Sequence, residues 1–220
     1  MLKSLSPVSR LRRLLLIAGL ACLLLVGLFV GWKWRKQAMV RSAYAQGTVA
    51  FERGDWETAR VMLGRYIAAR PDDLDTLARY AQAQLNSRPV TPSNLRQAMG
   101  AYRQVLRTRP DDQVAFARLA RLYLMTGAPG ELEFIAARRL ELRPSDPEAA
   151  LARARALIAR DKHADAAAVL EALVSRLEPQ LPPAPAAANG SPNASAAHAL
   201  ADSPAHFFAQ ACVLRAALAA

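Results

Sequence analysis

Two adjacent aspartate pairs, Asp72-Asp73 and Asp111-Asp112, are the residues whose type and spacing suit acid–base chemistry. Two carboxylates sharing a site push one pKa up, which is how an acid and a base are made from the same side chain. Each pair here follows a proline, in Arg70-Pro71 and Arg109-Pro110, at the expected start of a helix. Negative charge there complements the helix dipole, so capping is the expected role. His163, His198 and His206 are scattered through the chain and are expected to be solvated rather than to ligate a metal. Cys22 and Cys212 lie in different regions and form no CxxC, which supports neither a disulfide framework nor a zinc site. The chain contains no GxSxG, HExxH or glycine-rich phosphate loop. Asn193-Ala194-Ser195 is a formal glycosylation sequon and weak by itself. The expectation is a protein without catalysis, with no cofactor and no metal.

The elements that position these residues are announced by prolines. Arg-Pro-Asp-Asp recurs at 70–73 and 109–112, Arg-Pro-Ser-Asp-Pro stands at 143–147, and Glu178-Pro179 follows. The proline spacings are 39, 34 and 35 residues. A period of about 34 marks stacked two-helix repeats. Before Pro71, Gly54-Asp55 reads as a turn with a capping residue, and Trp56, Ala59, Leu63, Tyr66 and Ile67 then share one helix face. Pro71 ends that helix by removing an N–H donor and restricting Arg70. A further helical stretch precedes Gly54, so the two make a hairpin. Ser87–Asn94 inserts two prolines inside the second hairpin and accounts for its longer spacing.

These residues resemble the tetratricopeptide repeat (TPR) family, which places a small residue in each helix of the hairpin, a bulky one a turn later, and a closing proline. The first repeat offers Gly47, Ala59, Leu63 and Pro71, and the second Ala81, Ala98, Tyr102 and Pro110. The third has Ala120, but Leu132 and Ala136 exchange the small and bulky places before Pro144. The fourth has Ala154, Ala166 and Leu170, with its proline one place late at Pro179. The resemblance implies an all-α fold, an α-solenoid of TPR-like helical hairpins over residues 41–178, about four repeats. Residues 179–204 read as a Pro/Ala-rich linker, and 205–220 as a terminal helix, either a cap or the first helix of a fifth repeat.

In that family the first helices of successive repeats line a concave groove. The corresponding positions here hold Tyr44, Thr48, Arg79, Gln82, Arg118, Arg121 and Arg155. Arginines on one groove suit an acidic or carboxylate-ended peptide through bidentate pairing. Members that bind chaperones use a lysine–asparagine clamp where this chain has Tyr44 and Thr48, so that function is not implied. The resemblance implies a scaffold or adaptor binding other proteins or peptide segments. The alternative is a structural subunit, or the N-terminal part, of a larger membrane complex.

The net charge of +11 invites a nucleic-acid reading, but residues 1–41 carry eight Lys/Arg and no Asp or Glu, while the remainder is nearly balanced at +3. The cations flank Leu14–Trp32, a run of 19 residues without charge, amide or hydroxyl. Helical, the run would span roughly 28 Å, close to the ~30 Å of a bilayer's hydrocarbon core. Arg10, Arg12 and Arg13 precede it, Lys33, Arg35 and Lys36 follow, and Trp32 and Trp34 mark the far boundary. The expectation is a basic segment at 1–13, a transmembrane helix at 14–34 in contact with lipid, and no nucleic-acid or small-molecule partner. A cleaved signal ending near Ala43-Tyr44-Ala45, or a lipoprotein modified at Cys22, are the competing readings of the same run. Four cations on each side leave orientation balanced, and the free α-amine tips it toward an extracytoplasmic repeat domain. The alanine- and arginine-rich composition is compatible with a bacterial envelope protein of the inner membrane.

Overall fold

The computed structural model describes residues 7–180 and 203–219, with side chains described at 27, 31–179 and 203–218. The described residues are all-α, with no strand. The helices are α1 (Pro7–Glu52), α2 (Trp56–Ala69), α3 (Leu74–Asn86), α4 (Pro92–Thr108), α5 (Gln113–Met125), α6 (Pro129–Leu142), α7 (Pro147–Ile158), α8 (His163–Leu177) and α9 (Pro204–Ala219), with a single 3-10 turn at Glu178–Gln180. The chain divides into two compact units, residues 1–90 with α1–α3 and residues 91–220 with α4–α9. The linker expected at 179–204 lies, but for its ends, outside the described residues.

The recurring Arg-Pro-x-Asp segment builds the same turn three times. The N–H of Asp73, Asp112 and Asp146 donates to the carbonyl of Arg70, Arg109 and Arg143, at 3.3, 3.2 and 3.1 Å. The carboxylate then accepts from the N–H of Thr76 at 3.1 Å, Ala115 at 2.8 Å and Ala149 at 3.1 Å, capping α3, α5 and α7. Of each aspartate pair that looked fit for acid–base work, the second member, Asp73 or Asp112, is therefore a helix cap, while Asp111 faces Arg143 at 3.6 Å. In the first, third and fourth hairpins the inner turn uses a left-handed residue instead: Gly54 (φ 74°), Gly127 (φ 66°) and Asp161 (φ 59°).

In the first unit α2 packs antiparallel on the C-terminal part of α1, and α3 packs on α2. Ala50, Ala59, Leu63 and Ala83 form the core, flanked by Phe51, Trp56 and Tyr80. Gly47 is the point of closest approach. A Cβ built there would stand 2.6 Å from Leu63 Cδ2 and 3.0 Å from the Leu63 backbone nitrogen. The absence of a side chain on α1 thus makes room for the leucine of α2.

Asp73 also joins α2 to α3, because the Tyr66 hydroxyl and the Thr76 hydroxyl both donate to its Oδ2 at 2.9 Å. Burial alone would raise the Asp73 pKa, but the hydrogen bonds from Thr76 and Tyr66 outweigh it and hold the carboxyl below its ordinary value. A depressed folded-state pKa stabilises fully above the unfolded aspartate value of ~3.9, and the contribution vanishes as pH falls through the lower folded value. Asp73→Asn keeps a capping side chain and removes the titration. It is expected to flatten the acid limb of the stability–pH curve below about pH 4, read from denaturant midpoints measured across that range.

In the second unit successive helices pack on one another in chain order, and α9 closes the series against α8 and α7. Phe116, Leu119, Leu132, Leu157 and Leu170 are fully buried. Ala98, Tyr102, Ala120, Ala136, Ala154 and Ala166 are buried as the repeat pattern expects. In the third hairpin, where small and bulky residues are exchanged, a cation fills the core. Arg139 is only 3% exposed. Its Nε donates to Asp146 Oδ2 at 2.5 Å, its Nη1 donates to the Asp112 carbonyl at 3.1 Å, and its guanidinium carbon lies 4.6 Å from the Phe116 ring centroid. One side chain of α6 thereby ties together the N-terminal caps of α5 and α7.

Among the described residues no helix is long and apolar enough to cross a membrane. The run Leu14–Trp32, expected to be the anchor, falls almost entirely where side chains lie outside the described residues. The backbone through it is helical and continues without a break from Pro7 to Glu52 into the first hairpin.

Candidate functional site

The groove positions expected from the repeat register fall in both units. In the first, Tyr44 and Thr48 stand on α1, and Arg79 and Gln82 on α3. The Tyr44 ring packs on Tyr66 of α2, with centroids 4.9 Å apart. Thr48 Oγ1 is buried and has no hydrogen-bond partner. Arg79 is exposed and reaches back across the hairpin, its guanidinium carbon 6.0 Å from the Phe51 ring centroid. Gln82 is half-buried.

In the second unit α5, α7 and α9 bound a cavity of about 430 Å³. Ala117, Ala120, Leu151 and Ala152 supply small or apolar walls, and Arg121, Glu148 and Arg155 supply charge. Arg121 and Arg155 are therefore brought together, while Arg118, exposed on α5, is not among the lining residues. Arg155 is already engaged: its Nη2 donates to Gln210 Oε1 at 2.7 Å. The Gln210 amide nitrogen in turn meets His206 Nε2 at 2.5 Å.

That chain of contacts corrects one expectation. His206 is not a solvated histidine but a half-buried one, held against the cavity by α9. His163 is exposed, 3.9 Å from Asp161, and His198 lies outside the described residues. Glu148, Gln210 and Phe207, which complete the cavity, were not among the expected groove residues. For Gln210 and Phe207 the one signal was the helical period of 205–220, which placed a further helix without saying what it would cover. Among the described residues no group of His, Cys, Asp and Glu could hold a metal ion.

The class these features define is a TPR-type helical repeat: hairpins of about a dozen residues per helix, small residues at the crossings, and an Arg-Pro-x-Asp turn between hairpins. No family model and no curated protein matches the chain in sequence. Solved structures similar to it include "MamA MSR-1 C2", at 14% identity and a TM-score of 0.45, covering 80% of this chain and 95% of that one. "MamA RS-1 ArsTM double mutant" is similar at 13% identity and a TM-score of 0.48, over 81% of this chain and 96% of that one. A Podosopora anserina putative kinesin light chain with nearly identical TPR-like repeats is similar at 16% identity and a TM-score of 0.46, over 80% of this chain and 95% of that one. At such identities the likeness concerns the fold alone, and the assignment rests on the hairpins of this chain itself.

Proposed function

We propose that this chain is a membrane-tethered protein-interaction module that binds an acidic or carboxylate-ended segment of another protein on the first-helix side of its repeats. The observation that carries the interaction reading is the cavity between α5, α7 and α9, where two guanidinium groups stand over small apolar walls. Guanidinium pairs recognise carboxylates bidentately, and the apolar walls would exclude water from such a pair. Glu148, which lines the same cavity, favours a segment with a basic or neutral residue beside its carboxylate over one of uniform negative charge. Tethering by residues 14–34 is supported by the length and purity of the apolar run, its cationic flanks, and the helical backbone through it. The proposed setting is a bacterial inner membrane with the repeats on the extracytoplasmic side. Protease added to spheroplasts, with the outer membrane opened and the inner membrane sealed, should then cleave the repeats and spare residues 1–13.

The interaction reading is tested with the full chain in lipid nanodiscs and a short peptide ending in Asp-Glu-carboxylate. Arg121→Gln combined with Arg155→Gln, the two arginines that line the cavity, is expected to weaken binding by roughly tenfold or more, since a charge-assisted hydrogen bond is worth ~1.5–3 kcal/mol. Arg138→Glu, exposed on α6, should leave it unchanged. Equal affinity in the parent and the double variant would remove the groove arginines from recognition.

A further inference from the structure

A second cavity, of about 570 Å³, opens where α1 extends past the end of α2. Trp32, Lys33, Lys36, Arg41, Tyr66 and Arg70 line it, so four of its side chains are cations and none of its lining residues is a carboxylate. Lys36 Nζ sits 5.5 Å from the Trp32 ring centroid, and Trp32 is 61% exposed. We propose that this cleft holds the phosphate of an anionic phospholipid belonging to the bilayer that α1 enters; the proposal rests on the membrane reading of residues 14–34.

Depth supports it. The cleft begins at Trp32, the last residue of the apolar run, and rises along α1 to Tyr44; its highest cation on that helix is Arg41, nine residues above Trp32. At ~1.5 Å per residue that is roughly 13 Å, enough to cross the headgroup layer of one leaflet and reach just beyond it. Tyr66, Ala69 and Arg70 at the end of α2 supply the other wall, so Arg70 lines the same cleft as the lysines of α1. Trp32 is of the residue type that sits at the hydrocarbon–headgroup boundary, and lysine and arginine stems lie along apolar surface while their heads seek phosphate. Charge selects the occupant. A zwitterionic headgroup brings its own ammonium into a cationic pocket, whereas an anionic one brings an uncompensated phosphate. An isolated basic helix would attract anionic lipid diffusely. Here a second helix supplies a wall and a further cation, which makes a bounded site.

The test uses the full chain in nanodiscs of equal phosphatidylglycerol and phosphatidylcholine, released into the gas phase for native mass spectrometry. Preferential retention of phosphatidylglycerol is expected. Lys36→Gln with Arg70→Gln should reduce that preference by about thirtyfold, as for two cations at ~1 kcal/mol each at a headgroup. Arg35→Gln with Arg53→Gln removes the same charge from exposed positions outside the cleft and should leave the preference within about twofold of the parent. Equal loss in both pairs, or no preference in the parent, would overturn the proposal. So would binding of an acidic peptide to lipid-free chain that vanishes in the Lys36/Arg70 pair, which would give the cleft to a protein partner. Vesicle flotation separates the two readings: a chain that floats with neither lipid loses its membrane assignment as well, whereas one that floats with both yet retains them equally loses only the cleft.

Discussion

Arg139→Ala is expected to lower the stability of the second unit by about 3–5 kcal/mol, the range for breaking a buried ion pair from one side. The guanidinium is nearly inaccessible, and it meets three partners on two other helices: the Asp146 carboxylate, the Asp112 carbonyl and the face of Phe116. Removing it leaves the Asp146 carboxylate, 10% exposed, without its cation, and opens a void beside Phe116. Lysine cannot substitute, because one ammonium cannot reproduce the planar fork that reaches both Asp146 and Asp112. The measurement is a urea titration, in which the midpoint should fall while the slope stays constant. Arg139→Met with Asp146→Asn should recover much of the loss, since methionine fills the volume, asparagine still caps α7, and no unpaired charge remains. A single Arg139→Ala variant that unfolds at the parent midpoint would show that the buried guanidinium contributes nothing net.

Gly47→Ala should destabilise the first unit by about 1 kcal/mol net, although alanine is the better helix former. The propensity gain is ~1 kcal/mol, and overpacking a tight core costs ~1–3 kcal/mol. Packing wins because the new methyl would meet Leu63 Cδ2 at 2.6 Å and Cγ at 2.9 Å, and Leu63 is fully buried with nowhere to turn. Leu63→Ala should be costly alone and cheaper in the Gly47→Ala background. A double-mutant cycle in thermal or chemical denaturation would therefore show coupling of about 1 kcal/mol or more, as for residues in direct contact. Additive effects would mean that α1 and α2 do not approach at this point.

Much of this architecture was legible because its causes are local. The Arg-Pro-x-Asp turn writes itself into four consecutive residues, and a cap needs only its own backbone three positions on, as Asp73, Asp112 and Asp146 show. Gly47, Ala59 and Leu63 were readable for a related reason: hairpin crossings demand small residues at a fixed period, and a period survives in the sequence. Arg139 was not legible. Nothing in Arg138-Arg139 tells which guanidinium turns inward, since the answer depends on Phe116 and Asp112, more than twenty residues away. The cavity of the second unit was half legible for the same reason. Arg121 and Arg155 follow from the register, but Gln210, which meets Arg155, and His206, which meets Gln210, come from a helix 55 and 51 positions beyond Arg155. The continuity of α1 was also unannounced. Lys33–Ser42 contains neither glycine nor proline and is rich in helix formers, so nothing interrupts the helix between the apolar run and the first hairpin.

An uninterrupted α1 has a geometric corollary. Adding one residue between Gln37 and Ala38 would leave the Gly47–Leu63 crossing untouched, yet would turn everything N-terminal to the addition by about 100° and displace it by about 1.5 Å. The azimuth of the first hairpin about the α1 axis is therefore encoded in residue count, as a keyway is cut into a shaft, and seven added residues would nearly restore it while two would point it almost backwards.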